Sequence, residues 1–309
     1  MSALRSALAD YLALRRALGY TLRRSEKLLL QFIAYAEAAG ADRITSDLAL
    51  AWARLPAGAD VEWWSGRLAV VRKYAAFLST IDPETEAPPR DLLPAAKSHR
   101  AVPYLYSDDD IAALIAAATS LRSPLRALTY QTLIALLAVS GMRVGELIRL
   151  DRGDVDFEAG VLIVWLGKFG KSRELPLHPT TLAALRAYLA RRDQLRPKPS
   201  ASSLFISTAG TRLLYCNVHL DFSRLVRRAG LVPRSKDCRP RIHDLRHSFA
   251  VRTIVDAYRT DDDVTPRLPL LSTYLGHVDP ANTYWYLSAT PELLGLAAGR
   301  LERSLEGRS

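Results

Sequence analysis

Cysteine is scarce in this chain. Its 309 residues hold two, Cys216 and Cys238, too few for a disulfide scaffold and consistent with a reducing compartment. Neither belongs to a Cys-x-x-Cys pair, which argues against structural zinc on thiolates. Long apolar runs are also missing, since no stretch approaches the roughly 20 residues that span a bilayer. The N-terminus, MSALRSALADYLALRRALGY, is broken by charge every few residues and so lacks the apolar centre of a signal peptide. Internal repeats and a basic tail are absent too. The expectation is a soluble intracellular protein with no membrane partner. Lysine is the last shortage: 7 of the 42 basic residues are Lys and 35 are Arg, for a formal net charge of +10. Arg presents a flat fork of donors that fits phosphate bidentately and stays charged at any relevant pH. Such a chain suits nucleic acid, an anionic membrane or an acidic protein, although a GC-rich genome also enriches Arg codons. The surplus is spread, with +3 over residues 1–100 and +7 over the remainder, so an anion-binding surface must be assembled by folding.

What is present reads as two domains, the natural division for this length. Apolar spacings of three and four predict helices over 3–18 and 21–39, separated at Gly19, then one in TSDLALAWAR and one from Val61 to Ser79. Residues 1–80 are thus expected to form a helical domain. Five prolines between 83 and 103 mark a linker over 81–103, because proline lacks the N–H that helix interiors need. The second domain, 104–309, opens with the acidic cap of YSDDDIAALIAAA and continues with a nearly all-apolar helix in PLRALTYQTLIALLAVSG. GVLIVWLGKFGKSRELPL changes to a shorter period around a Gly-Lys-Phe-Gly-Lys turn and reads as a β-hairpin. Further helices are expected at about 179–193, 215–229, 241–258, 280–288 and 291–304 by the same periodicity. The fold class is therefore mainly α with a small β-sheet.

Four islands of the second domain place charged or histidine residues in apolar surroundings. SGMRVGEL holds Arg143, the hairpin turn holds Lys168 and Lys171, HDLRHSFA holds His243 and Arg246, and YLGHVDPANTYWYL holds His277 with Tyr284 and Tyr286. Each has an ordinary explanation by itself: an Arg143–Glu146 pair at i+3, histidines hydrogen-bonded in a core, solvated turn lysines, packing tyrosines. His243 and His247 also stand at the i, i+4 spacing of a zincin helix, but Asp244 replaces the general-base Glu and Arg246 would put a cation beside the metal. Together the islands suit phosphoryl transfer. Two arginines can clamp the non-bridging oxygens of a phosphodiester, imidazoles can add donors to the charge that develops, and a lysine can protonate the leaving oxygen. A tyrosine beside such cations is favoured as phenolate and becomes a usable nucleophile. No metal or cofactor is needed. Tyr284 and Tyr286 leave a helix on nearly opposite faces, about 100° per residue, so only one can address the site; the spacing leaves open which.

The order SGMRVGEL, GKFGKSRELPL, HDLRHSFA and YLGH, followed nine residues later by tyrosine, resembles the tyrosine recombinase (phage integrase) family. The resemblance covers the second domain and extends to the helical domain before it, and it implies an α+β catalytic domain behind an N-terminal core-binding, DNA-binding domain. It assigns catalysis to Arg143, Lys168, His243, Arg246 and His277, with Lys171 in reserve for Lys168 and Tyr286 as nucleophile. The stretch from Arg246 to His277 is 31 residues, longer than in compact family members by roughly two helical turns. The extra length falls around YRTDDDVTPRLP, read as an acidic loop at about 259–269 rather than an Asp261–Asp263 metal site.

The resemblance further implies a bacterial, cytoplasmic protein, associated with the nucleoid while acting, that clamps specific double-stranded DNA between its domains. Its reaction passes through a 3′-phosphotyrosine without ATP or metal. Four protomers would act in the synapse, with accessory or partner recombinase subunits a further possibility, and the tail ATPELLGLAAGRLERSLEGRS would dock on a neighbour or on its own domain. The ending TYWYLSATPELL looks like those of mobile-element, transposon-type recombinases. In the first domain Arg67, Arg72 and Lys73 lie on or near one expected helix and are candidate phosphate contacts, or else a solvated face. Competing functions are relaxation of DNA in the manner of a type IB topoisomerase and DNA binding without catalysis.

Overall fold

The computed structural model describes residues 3–55, 57–93, 102–165, 172–260, 264–276, 279, 281–284, 293–296 and 298–299. The chain divides into two compact units, Met1–Arg100 and Ala101–Ser309.

In the first unit, α1 (Ala3–Ala17), α2 (Arg23–Ala38), α3 (Ser46–Arg54) and α4 (Val61–Leu78) surround one apolar core. Local chemistry fixes two starts: the Thr45 hydroxyl accepts from the Leu48 N–H at 3.2 Å and the Asp60 carboxylate from the Trp63 N–H at 2.7 Å. Along α4, Leu68, Val71, Ala75 and Leu78 recur every three or four residues and are buried, as one helix face must be. The proline-rich stretch does not leave the unit at residue 80. Leu93 is buried in the same core, the Glu86 carboxylate accepts from the Ser46 N–H at 2.8 Å, and Arg72 donates to the carbonyls of Pro88 and Pro89 at 2.6 and 2.7 Å. Residues 83–93 thus run along the helices, because prolines leave carbonyls without removing their need for donors.

The second unit is built on α6 (Pro124–Ser140), which packs against α5 (Asp108–Ala118), α8 (Pro179–Leu195) and α10 (Asp244–Arg259). Its mostly apolar sequence is buried on several sides, as a central helix requires. After α6 come a short helix α7 (Val144–Arg149) and an antiparallel sheet in the order β1 (Val155–Asp156), β2 (Val161–Val164), β3 (Arg173–Pro176), with Val164 opposite Arg173. The expected hairpin is β2–β3. Helix α9 (Tyr215–Arg228) follows α8, and α11 (Val264–Leu275) and the short α12 (Ala281–Tyr284) follow α10.

Helix α11 takes up the later part, 264–269, of the stretch expected as a loop. Pro266 falls in its first turn, where no backbone donor is needed, and Pro269 lies inside it. Burial of Leu271 and Leu275 against Ile254 of α10 outweighs the missing hydrogen bond. Asp261–Asp263 lie outside the described residues. Leu293 packs into this same cluster, so the expected C-terminal helix meets its own unit there. No helix among the described residues is long and apolar enough to cross a membrane.

Candidate active site

Helix α6 ends at Gly141, whose φ of +57° closes the helix, and a Cβ there would run into the Phe249 ring. Only glycine fits that turn. Two residues later Arg143 takes an extended backbone at the start of α7. Glu146 reaches back to it, accepting from the Arg143 N–H at 3.0 Å and from its Nη1 at 2.8 Å. The ordinary i+3 pair is therefore present, and it leaves Arg143 Nη2 to donate to the carbonyl of Gly276 at 3.2 Å. Arg246, one turn into α10 and almost wholly buried, donates to the carbonyl of Gly141 at 2.9 Å and of Leu275 at 2.6 Å. Arg173 on β3 donates through Nε to the carbonyl of Tyr274 at 2.8 Å.

Three guanidiniums from three elements thus meet the last three carbonyls of one helix end, where the partial negative charge of a helix C-terminus favours cations. The carbonyl that Arg143 holds belongs to Gly276, the residue before His277. His277 itself, Lys168, Lys171 and Tyr286 lie outside the described residues. Tyr284, at the end of α12, is half exposed.

His243 stands immediately before α10. Its pKa is lowered to about 4 by burial and then by the guanidiniums of Arg246, Arg143 and Arg241, against a smaller opposing effect of Glu146. Since the residue also faces solvent, the surrounding cations are the part of that cause that survives hydration. At neutral pH the imidazole is uncharged and carries one N–H. Burial pushes the Glu146 carboxyl up, but Arg173 and Arg143 outweigh it and hold it at about 2. Glu146 and Arg173 stand beside these residues, although the sequence motifs give neither a part in catalysis. Glu146 was visible there as a local partner of Arg143, whereas Arg173 meets its partners only through the fold.

The general-base position of the zincin-like stretch is committed elsewhere. The His243 and His247 rings stand edge to face with centroids 4.9 Å apart. Asp244, in the general-base position, is fully buried and faces inward to the Arg241 guanidinium, at 2.8 and 3.0 Å. No group of three His, Cys, Asp or Glu among the described residues is placed to hold a metal.

In the first unit the candidate phosphate contacts separate. Arg67 is turned into the core, its guanidinium 3.8 Å over the Trp52 ring and donating to the Trp52 carbonyl at 3.0 Å, so it is not available to a phosphate. Arg72 is tied to the Pro88 and Pro89 carbonyls. Lys73 is exposed.

Residues 105–292 match the model of the phage integrase family. A putative integrase/recombinase of Sinorhizobium fredii, y4rB, is 45% identical over 315 residues, covering 100% of this chain and 100% of that protein. The tyrosine recombinase XerC of Alcanivorax borkumensis is 32% identical over 71% of this chain and 66% of its own. Among solved structures, the Tn1549 transposon integrase in complex with a circular intermediate DNA shares the fold with a TM-score of 0.66 at 16% identity, over 98% of this chain and 99% of that one. A lambda integrase tetramer bound to a Holliday junction shares it with a TM-score of 0.61 at 20% identity, over 93% and 77%.

Proposed function

The chain belongs to the phage integrase family, and on that premise we propose that it is a site-specific DNA recombinase in which Tyr286 attacks a DNA phosphodiester. The observation that carries this reading is the meeting of Arg143 and Arg246 at the carbonyls that precede His277, with His243 near enough to feel both charges. Arg143, partly exposed, holds the non-bridging oxygens of a phosphate with charge-assisted bonds. Arg246 behind it adds its charge, turning donors from the Gly141 and Leu275 carbonyls to the phosphate as DNA binds. His243, neutral at pH 7, donates its one N–H without adding a charge, and His277 supplies a second donor. The Tyr286 oxygen bonds to phosphorus while the bond to the 5′ oxygen breaks. The tyrosine proton passes to solvent water, and Lys168 delivers one to the 5′ oxygen. A 3′-phosphotyrosine and a free 5′-hydroxyl result. The hydroxyl of a second cut strand then attacks that linkage, releases the tyrosine and rejoins the DNA. Ester energy is conserved at each step, so the scheme uses neither ATP nor metal.

The partner is double-stranded DNA carrying a specific site, and exchange between two duplexes calls for four copies of the chain. The lambda integrase solved as a tetramer on a Holliday junction supports that assembly by fold similarity, and the Tn1549 integrase supports a mobile-element role. The first unit contributes further phosphate contacts, with Lys73 as one. Two supercoiled plasmids carrying the ends of the element that encodes the protein, incubated with it in EDTA, test the reading. Recombinant molecules in which sequences from the two plasmids are joined are expected. Relaxation without site dependence or joined products would mark a topoisomerase-like enzyme, and binding with neither would mark a DNA-binding protein without catalysis.

A further inference from the structure

Arg173 takes part in a closed ring of hydrogen bonds that links three separate parts of the second unit. Its Nη2 and Nη1 donate to Glu146 at 2.8 and 3.3 Å, and its Nε donates to the Tyr274 carbonyl at 2.8 Å. Glu146 accepts from Arg143, and Arg143 donates to the Gly276 carbonyl, two residues after Tyr274. The ring thus runs from β3 to α7, from α7 to the end of α11, and back to β3. Its members are well shielded, with side-chain exposures of 13% for Arg173, 1% for Glu146 and 22% for Arg143. Gly276 takes φ +67°, and a Cβ there would lie 3.1 Å from Arg173 Nη1. The chain therefore makes room for this guanidinium with the residue least able to obstruct it.

We infer that Arg173 is a positioning residue for the reaction. By bridging Glu146 and the Tyr274 carbonyl it sets the register between the hairpin, Arg143 and the segment leading to His277, and it does not itself touch the phosphate. This rests on the recombinase reading. The bidentate fork matters more than the charge alone, because one planar group satisfies a carboxylate and a carbonyl at once. Without Arg173, Glu146 would be buried with Arg143 as its remaining close cation among the described residues, and its anionic form would be less favoured. Among the described residues, the charged and titratable groups around Glu146 are Arg143 beside it, Arg173 on β3, and His243 just before α10. Protonated Glu146 would no longer accept two bonds from Arg143, and the clamp would loosen as pH falls.

The test compares wild type with Arg173→Met and Arg173→Lys on two readouts. The first is the rate of covalent adduct formation on a nicked duplex between pH 5 and 8, together with the Kd for intact duplex. Expected for Arg173→Met is a loss of about 10- to 100-fold in rate at neutral pH, the scale on which misplaced groups cost catalysis, with Kd little changed. Its rate should fall further toward pH 5 than the wild-type rate does, and Arg173→Lys should recover part of both losses. The second readout needs no catalysis: the difference in Tm between wild type and Arg173→Met should narrow as pH is lowered from 7 to 3. Glu146 in the wild type stays ionised through that range, while in the variant it takes up a proton. Wild-type pH dependence and rate in Arg173→Met would overturn the inference, as would losses of rate and of DNA affinity in equal proportion. A Tm gap independent of pH would overturn the ring. Absence of adduct in the wild type would instead count against the recombinase reading, and the Tm series would still decide whether the ring exists.

Discussion

Arg143 and Arg246 differ in how each is held, and that difference shapes what each offers a substrate. Arg246 is anchored in the interior by carbonyls of two elements, whereas Arg143 stays about one-fifth exposed at the rim. His243 beside them yields a prediction about pH. Its folded pKa of about 4 lies below the reference of 6.5, so the unfolded chain binds the proton more readily. The contribution of His243 to stability is therefore level above about pH 6.5 and turns unfavourable as pH falls through the window from 6.5 to 4. Glu146, held at about 2 against a reference of 4.5, acts in a lower window: its contribution is complete above 4.5 and is lost as pH falls toward 2. The urea midpoint of the wild type is expected to fall between pH 7 and pH 5, and that of His243→Gln to fall less. Parallel curves for the two proteins would show that the histidine carries no such penalty. At this scale the sequence was legible where partners are three or four residues apart, as for Arg143 with Glu146. It was silent on Arg173, whose partners lie 27 and 101 residues away.

Helix α4 shows how an element can redirect a residue that composition makes conspicuous. A basic residue on an exposed helix face is a natural phosphate contact, yet Arg67 falls on the side that carries Leu68, Val71 and Tyr74 inward. Its guanidinium covers the Trp52 indole, and burial lowers its pKa. The Arg67→Met variant should destabilise the folded chain by about 1–3 kcal/mol, because the Trp52 carbonyl loses a donor and a cation–π contact is removed. DNA binding of the folded variant should keep the wild-type slope of log K against log salt, measured by titration at several salt concentrations. A slope reduced by about one would instead mean that Arg67 meets a phosphate. The elements themselves were mostly readable from apolar period and capping signals; α1, α2, α8 and α9 begin and end within about two residues of the expectation. Helix α11 was not. Its two prolines and preceding aspartates mimic a loop, and only packing of Leu271 and Leu275 on α10 reveals the helix.

On the scale of the whole molecule, the mainly helical fold with one small antiparallel sheet follows from that alternation of periods. The relation of its two units to DNA is a matter for experiment. The resemblance seen in four ordered motifs and the family match over residues 105–292 agree on the family. The resemblance points to Tyr286 as nucleophile, whereas helix spacing alone leaves Tyr284 and Tyr286, two positions apart, both open. The most direct measurement is adduct formation on a suicide duplex carrying the recombination site, nicked so that cleavage traps the intermediate, in EDTA. Wild type and Tyr284→Phe are predicted to give a protein–DNA band that survives a denaturing gel, and Tyr286→Phe to bind the duplex without giving it. A band from Tyr286→Phe, or no band from wild type on a duplex it binds, would contradict the account.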